Sequence, residues 1–145
     1  MFVVEKTAEF PYTPDQLFGL MSDIRNEVKW MPGVKSAVMT GTHPVGAGTE
    51  FVTVYQGFGT MRIRLTEFAA PRMFACVVSG TPMDMNCRFE YEPTATGTRM
   101  HMRMEVIPHG VLRLIQPILK WMFTREIAKR PAQIRRGLEI LYPRL

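Results

Sequence analysis

Two neighbouring stretches, residues 83–92 and 99–106, constrain the fold most, because each alternates apolar with polar side chains one residue at a time. Met83, Met85, Cys87, Phe89 and Tyr91 share one phase of the first stretch, and Met100, Met102, Met104 and Val106 share one phase of the second. A period of two is that of an extended strand, whose successive side chains point to opposite faces. Pro93 and Gly97 punctuate the link between the stretches, so the pair reads as an antiparallel hairpin. Arg99, His101, Arg103 and Glu105 take the opposite phase, which fits a sheet with one face on the core and the other in water.

The same reading extends outward. Residues 2–10 put Phe2, Val4, Ala8 and Phe10 on one face, with Lys6 the one misfit. From residue 34 to 108 short alternating runs are separated by Gly46, Gly48, Gly57, Gly59, Pro71, Gly80, Pro82, Pro93 and Gly97, which predicts six successive antiparallel strands. Thr13 followed by Pro14 and Asp15 is a capping residue before a helix-starting proline, and a short helix is predicted over 14–22. Ser22-Asp23 starts a second one that ends near Trp30, since Met31-Pro32-Gly33 cannot continue it. Residues 111–142 return to helical spacing through Leu112, Ile115, Leu119, Met122, Phe123, Ile127, Ile134, Leu138 and Leu141, with a boundary at Pro117 and a kink at Pro131.

A sheet with one apolar face must be covered, and only the last helix is long enough. The expected architecture is α+β: a seven-stranded curved antiparallel sheet wrapped around a long C-terminal helix, with two short helices between strands 1 and 2. At 145 residues, near the commonest domain size, one domain over 1–145 is expected.

A bent sheet gripping one helix leaves space between them. Twelve of the residues are Met, and Met61, Met83, Met85, Met100, Met102 and Met104 all fall on inward phases, an adaptable surface suited to varied apolar ligands as well as to ordinary core filling. Polar side chains on inward phases are few: Lys6, Thr53, Tyr55, Tyr91, Glu126 and Arg130. Counting about 100° per residue from Leu119 places Glu126 and Arg130 within the apolar stripe, directed at the sheet. Their spacing suits an ordinary ion pair at the pocket mouth or a pair that orients a ligand. Trp30 lines the pocket or plugs helix against sheet. The candidate ligand-binding set is therefore Trp30, Thr53, Tyr55, Met85, Phe89, Met102, Met104, Leu119, Phe123, Glu126 and Arg130.

Catalytic chemistry has no readable set. His43 and His109 fall in loops and His101 on the outer phase, so no triad or metal cluster assembles, and no cofactor is expected. Cys76 and Cys87 lie on apolar phases of adjacent strands; reduced, unreactive thiols are expected, with a cross-strand bridge left open. In the enzyme alternative Tyr55, Glu126 and Arg130 serve as acid, base and anion holder.

The net charge of +5 is concentrated beyond residue 108, where eight Lys or Arg face two acids. A solvated helix face is the commoner cause; an anionic partner is the other. Transient contact with an anionic membrane through Lys120, Arg125, Lys129, Arg135 and Arg136 is one such reading, limited by their spread around the helix. Nucleic acid is not expected, because no aromatic-studded exposed sheet, recognition helix or zinc motif accompanies the charge. No apolar run reaches the roughly 20 residues of a membrane span. With no signal-peptide pattern at the start of the sequence, a cytoplasmic setting is expected.

The order strand, two short helices, six strands, long helix resembles the helix-grip fold of the START-like, or SRPBCC, superfamily. The residues carrying the resemblance are Pro14-x-x-x-Phe18, Asp23 through Trp30-Met31-Pro32-Gly33-Val34, Val45-Gly46-x-Gly48-Thr49, and Glu67-x-x-x-Pro71-Arg72. Tyr91-Glu92-Pro93-x-x-x-Gly97-Thr98-Arg99 and Gly110-Val-Leu-Arg-Leu-Ile-Gln-Pro117 continue it. Within the superfamily the chain is most similar to the small bacterial group labelled polyketide cyclase/dehydrase-like. The resemblance implies a lipid, sterol, polyketide or aromatic metabolite held between sheet and final helix, carried or sensed, or alternatively transformed by a cyclase, aromatase or dehydratase.

Overall fold

The computed structural model describes residues 1–143. Strand β1 (Phe2–Phe10) is followed by helix α1 (Pro14–Ser22), a 3-10 turn (Ile24–Asn26) and helix α2 (Glu27–Trp30). Six strands follow: β2 (Val34–Met39), β3 (Glu50–Tyr55), β4 (Gly59–Ala69), β5 (Met73–Ser79), β6 (Met83–Thr94) and β7 (Gly97–Pro108). A 3-10 segment (Gly110–Ile115) leads into the long helix α3 (Gln116–Leu141). The seven strands form one antiparallel sheet in the order β1-β7-β6-β5-β4-β3-β2. β1 and β2 are therefore opposite edges, and α1 with α2 spans the width of the sheet between them.

Local chemistry explains these helices. Thr13 Oγ1 accepts from the Gln16 backbone N–H at 3.2 Å while Gln16 Oε1 accepts from the Thr13 N–H at 3.1 Å, a reciprocal cap with Pro14 in the first turn. The helix so started buries Leu17, Phe18, Leu20 and Met21. The second predicted helix is two pieces. Asp23 Oδ1 accepts from the Arg25 N–H at 3.1 Å and opens the 3-10 turn, which tightens the chain before α2 begins at Glu27.

Two register shifts, between Val34 and Ser36 on β2 and between Leu65 and Glu67 on β4, bend the sheet as bulges do. The concave face carries the expected apolar phases: Met61, Met83, Met100, Met102 and Val106 are buried. The outer face is a ladder of exposed ion pairs, including Arg88–Glu67 at 3.0 Å and Arg99–Glu9 at 3.1 Å.

Helix α3 lays Leu119, Ile127, Ile134 and Leu138 into the core. Pro117 stands in its first turn, where the missing N–H costs nothing, and Pro131 sits inside a helix that continues to Leu141. The helical stripe expected to begin at Leu112 starts later. Residues Gly110–Ile115 form a 3-10 segment with no buried side chain, because Pro117 lacks the N–H that would extend the α-helix back across them and is accommodated only in its first turn. Gly137 allows α3 its close approach to α2: a Cβ there would lie 2.6 Å from Trp30 Cβ.

Candidate functional site

Sheet, α2 and α3 enclose a cavity of about 350 Å³, within the size range of small-molecule sites. Its floor comes from inward side chains of β4 to β7, among them Met61, Cys76, Met83, Met85, Cys87, Phe89, Met102 and Met104. Phe123 and Met122 of α3 close one side, and Met31, Pro32 and Phe58 stand at the other. Phe74 stacks on Phe89 with ring centroids 4.7 Å apart, so this wall is a packed aromatic surface.

One corner is polar. Glu27 of α2 is 7% exposed, and its Oε1 accepts the hydroxyl proton of Tyr55 on β3 at 2.7 Å. Burial of the carboxyl outweighs the stabilising hydroxyl and the nearby Arg130 guanidinium, so the acid holds its proton up to about 7 against an ordinary value of 4.5. Burial, then the adjacent carboxylate, push the Tyr55 hydroxyl up, so it stays a donor. Arg130 of α3 is pulled below its ordinary value by burial, partly offset by Glu126, Glu27 and Tyr55. The corner thus joins a carboxyl that titrates near neutrality, a phenol and a guanidinium, a set able to hold a carbonyl, hydroxyl or carboxylate against an otherwise apolar wall.

Of the residues singled out from sequence, Trp30, Tyr55, Met85, Phe89, Met102, Met104, Phe123, Glu126 and Arg130 line this cavity. Trp30 lines the cavity, and it packs α2 against Gly137 of α3 rather than against the sheet; its buried Nε1–H has no hydrogen-bond partner among the described residues. Thr53 and Leu119 do not line it. Thr53 is fully buried within the sheet and donates its hydroxyl to the Met61 carbonyl at 3.3 Å, while Leu119 is spent on the core below the pocket. Tyr91 packs beside Phe18 and Phe74 instead.

Of the two readings for Glu126 and Arg130, the direct ion pair is not made, although the Glu126 charge still favours the Arg130 guanidinium. Glu126 is half-exposed at the cavity rim and pairs with Lys129 at 3.4 Å, while Arg130 donates to Gln133 Oε1 at 2.8 Å. Glu126 stands at the solvent edge of the inner stripe, so its carboxylate reaches water while Arg130 turns inward toward Glu27.

Glu27 is the residue the sequence reading missed. A signal existed: Glu27 lies three residues before Trp30 on one short helix, so an inward Trp30 implies an inward Glu27.

The histidines stay outside the cavity. His101 bonds Thr7 at 2.8 Å and Glu5 at 3.1 Å on the outer face, and His109 meets Asp84 at 3.1 Å. Cys76 and Cys87 face each other across β5 and β6 as free, buried thiols. The hydrogen bond Cys76 donates to Cys87 and then burial push the Cys76 thiol well up, so it is a poor nucleophile. Among the described residues no cluster of three His, Cys, Asp or Glu could hold a metal.

A curved antiparallel sheet closed on a C-terminal helix over an apolar cavity defines a helix-grip pocket protein. TTHA0849 from Thermus thermophilus shares this fold with a TM-score of 0.78 at 12% identity, over 97% of this chain and 99% of that one. SA2116 from Staphylococcus aureus, a protein of unknown function, is similar at 0.77 and 11%, over 99% and 96%. A conserved protein from Geobacillus kaustophilus is similar at 0.77 and 16%, over 96% of each chain. No curated protein matches the sequence. Residues 1–141 match the family described as polyketide cyclase / dehydrase and lipid transport, and the chain belongs to that family.

Proposed function

We propose that this protein binds a small apolar or aromatic metabolite of the lipid, sterol or polyketide class in its cavity, as a carrier or sensor, with the ligand's polar end held by Glu27, Tyr55 and Arg130. The observation that supports this reading is the pairing of a methionine-rich and aromatic wall with a single polar corner, the usual division of labour between affinity and orientation in a binding pocket. A cytoplasmic setting goes with it, since two buried reduced thiols suit a reducing compartment. Native mass spectrometry of gently purified protein tests it. A bound lipid, sterol or aromatic compound is expected in the wild type and depleted in Met104→Trp, whose larger indole intrudes on the cavity. Repeated failure of the wild type to retain or take up any such compound refutes the reading.

The enzyme alternative has one observation in its favour. Glu27, raised to about 7 by burial, stands in a largely apolar cavity poised to give or take a proton near neutral pH, as suits a general acid or base. In that reading Glu27 takes the role first considered for Glu126, with Tyr55 and Arg130 stabilising charge on a substrate oxygen. Wild-type turnover of an identified substrate by both Glu27→Gln and Tyr55→Phe excludes it.

A further inference from the structure

Residues 106–125 contain no acid and carry Arg113, Lys120 and Arg125. The same stretch places an unusual set of large apolar side chains in solvent: Val111 is 77% exposed, Leu114 83%, Ile118 56% and Trp121 58%, with Ile115 and Met122 beside them. Ile118, Trp121, Met122 and Arg125 recur at spacings of three and four, so they form one stripe along the first turns of α3, continuing from the 3-10 segment. Scattered exposed apolar residues are ordinary on a protein surface, whereas a contiguous group of six marks an interaction face.

We infer that this basic, apolar lip, built from the 3-10 segment and the first turns of α3, docks on an anionic lipid bilayer beside the cavity mouth. Three features select that occupant. Charge is the first: positive side chains are interspersed with the apolar ones, and the Arg125 guanidinium lies 4.8 Å from the centroid of the Trp121 ring. Trp with Lys and Arg flanking aliphatic side chains is the composition of a segment lying in a membrane interface, aliphatics toward the acyl chains and cations toward the phosphates. Continuity is the second: Met122 is 45% exposed on the lip and also lines the cavity, as does Phe58, 43% exposed, across the mouth. An apolar path therefore runs from the lip into the pocket. Self-repulsion is the third: a symmetric contact with a second copy would bring Arg113, Lys120 and Arg125 of both chains together with no acid in the stretch to pair them.

The docking half of the helix is not the half with most charge. Lys129 is paired with Glu126, and Arg135 donates to the Glu9 carbonyl at 3.0 Å while lying over the Phe10 ring. Both are thus engaged within the fold. The docking surface stands on its own residues; its use, loading and unloading an apolar ligand from the bilayer, rests on the ligand-binding reading above.

Vesicle co-sedimentation tests the docking. Wild-type protein is expected on phosphatidylcholine vesicles containing phosphatidylglycerol, much less on phosphatidylcholine alone, and with binding that falls as salt shortens the screening length. Leu114→Glu combined with Trp121→Glu should lose at least about tenfold of the binding, and Arg113→Gln with Lys120→Gln about fivefold per residue, on anionic vesicles only. Both variants change exposed positions, and Val38→Glu, an exposed apolar residue on β2, is the control that keeps wild-type binding. Met104→Trp should also sediment like wild type while losing its cavity ligand by native mass spectrometry, which separates failure of the docking from failure of the pocket. Binding indifferent to lipid charge, no binding at low salt, or wild-type sedimentation of the Leu114→Glu/Trp121→Glu variant overturns the inference. So does a concentration-dependent dimer, abolished by Leu114→Glu, that vesicles do not compete for.

Discussion

Replacing Glu27 with Gln should make the protein more stable above neutral pH and change little below pH 5. In the native state Glu27 keeps its proton up to about pH 7, because burial penalises the charged form more than Tyr55 and Arg130 favour it. The unfolded chain releases that proton at an ordinary carboxylate value. Between the two values the native state binds more protons than the unfolded state, so raising the pH weakens the fold. Over that window one group contributes about 3 kcal/mol of lost stability, at 1.36 kcal/mol for each pH unit. Glutamine keeps a carbonyl for the Tyr55 hydroxyl and cannot ionise. Urea unfolding at pH 5 to 8 should show the two proteins alike at pH 5 and the variant ahead by about 3 kcal/mol at pH 8, or about 10 °C in Tm for a chain of this size. Tyr55→Phe removes the hydroxyl that favours the carboxylate, so it should move the wild-type transition to higher pH. A difference between wild type and Glu27→Gln that stays flat from pH 5 to 8 would refute the assignment of Glu27 as a buried acid titrating near neutrality.

Gly137→Ala should destabilise the protein by about 1–3 kcal/mol in urea unfolding despite the gain in helix propensity, since the new methyl meets Trp30 Cβ at 2.6 Å. Thr13→Ala removes the reciprocal cap of α1 and should cost about 1 kcal/mol by the same measurement. A thiol reagent at neutral pH should label Cys76 only as fast as the fold opens, because burial and the hydrogen bond with Cys87 hold its proton on; labelling at the rate of a free thiol would contradict this.

The sheet was legible because burial on one face writes itself into a strand at period two. Residues 83–92 and 99–106 showed the phase directly, and β6 and β7 place Met83, Met85, Cys87, Met100, Met102 and Met104 on that face. Helix α1 was legible for a different reason: Thr13, Pro14 and Gln16 fix its start through bonds made within four residues. What the sequence could not supply was pairing across distance. The missed Glu27 occupies a four-residue helix, too short for an amphipathic pattern, and its burial depends on Tyr55, 28 positions away, arriving on β3 opposite it. Glu126 and Arg130 looked like partners because i and i+4 side chains adjoin on any helix. Their actual partners, Lys129 and Gln133, were chosen by where solvent and the sheet lie around α3. The exposed lip carries the same lesson, since Ile115 and Met122 read as core by spacing alone, yet both stand exposed where the sheet does not cover that end of the helix. Local periodicity encodes which side chains seek burial; only the closed tertiary structure decides which of them find a neighbour and which are left at the mouth of the pocket.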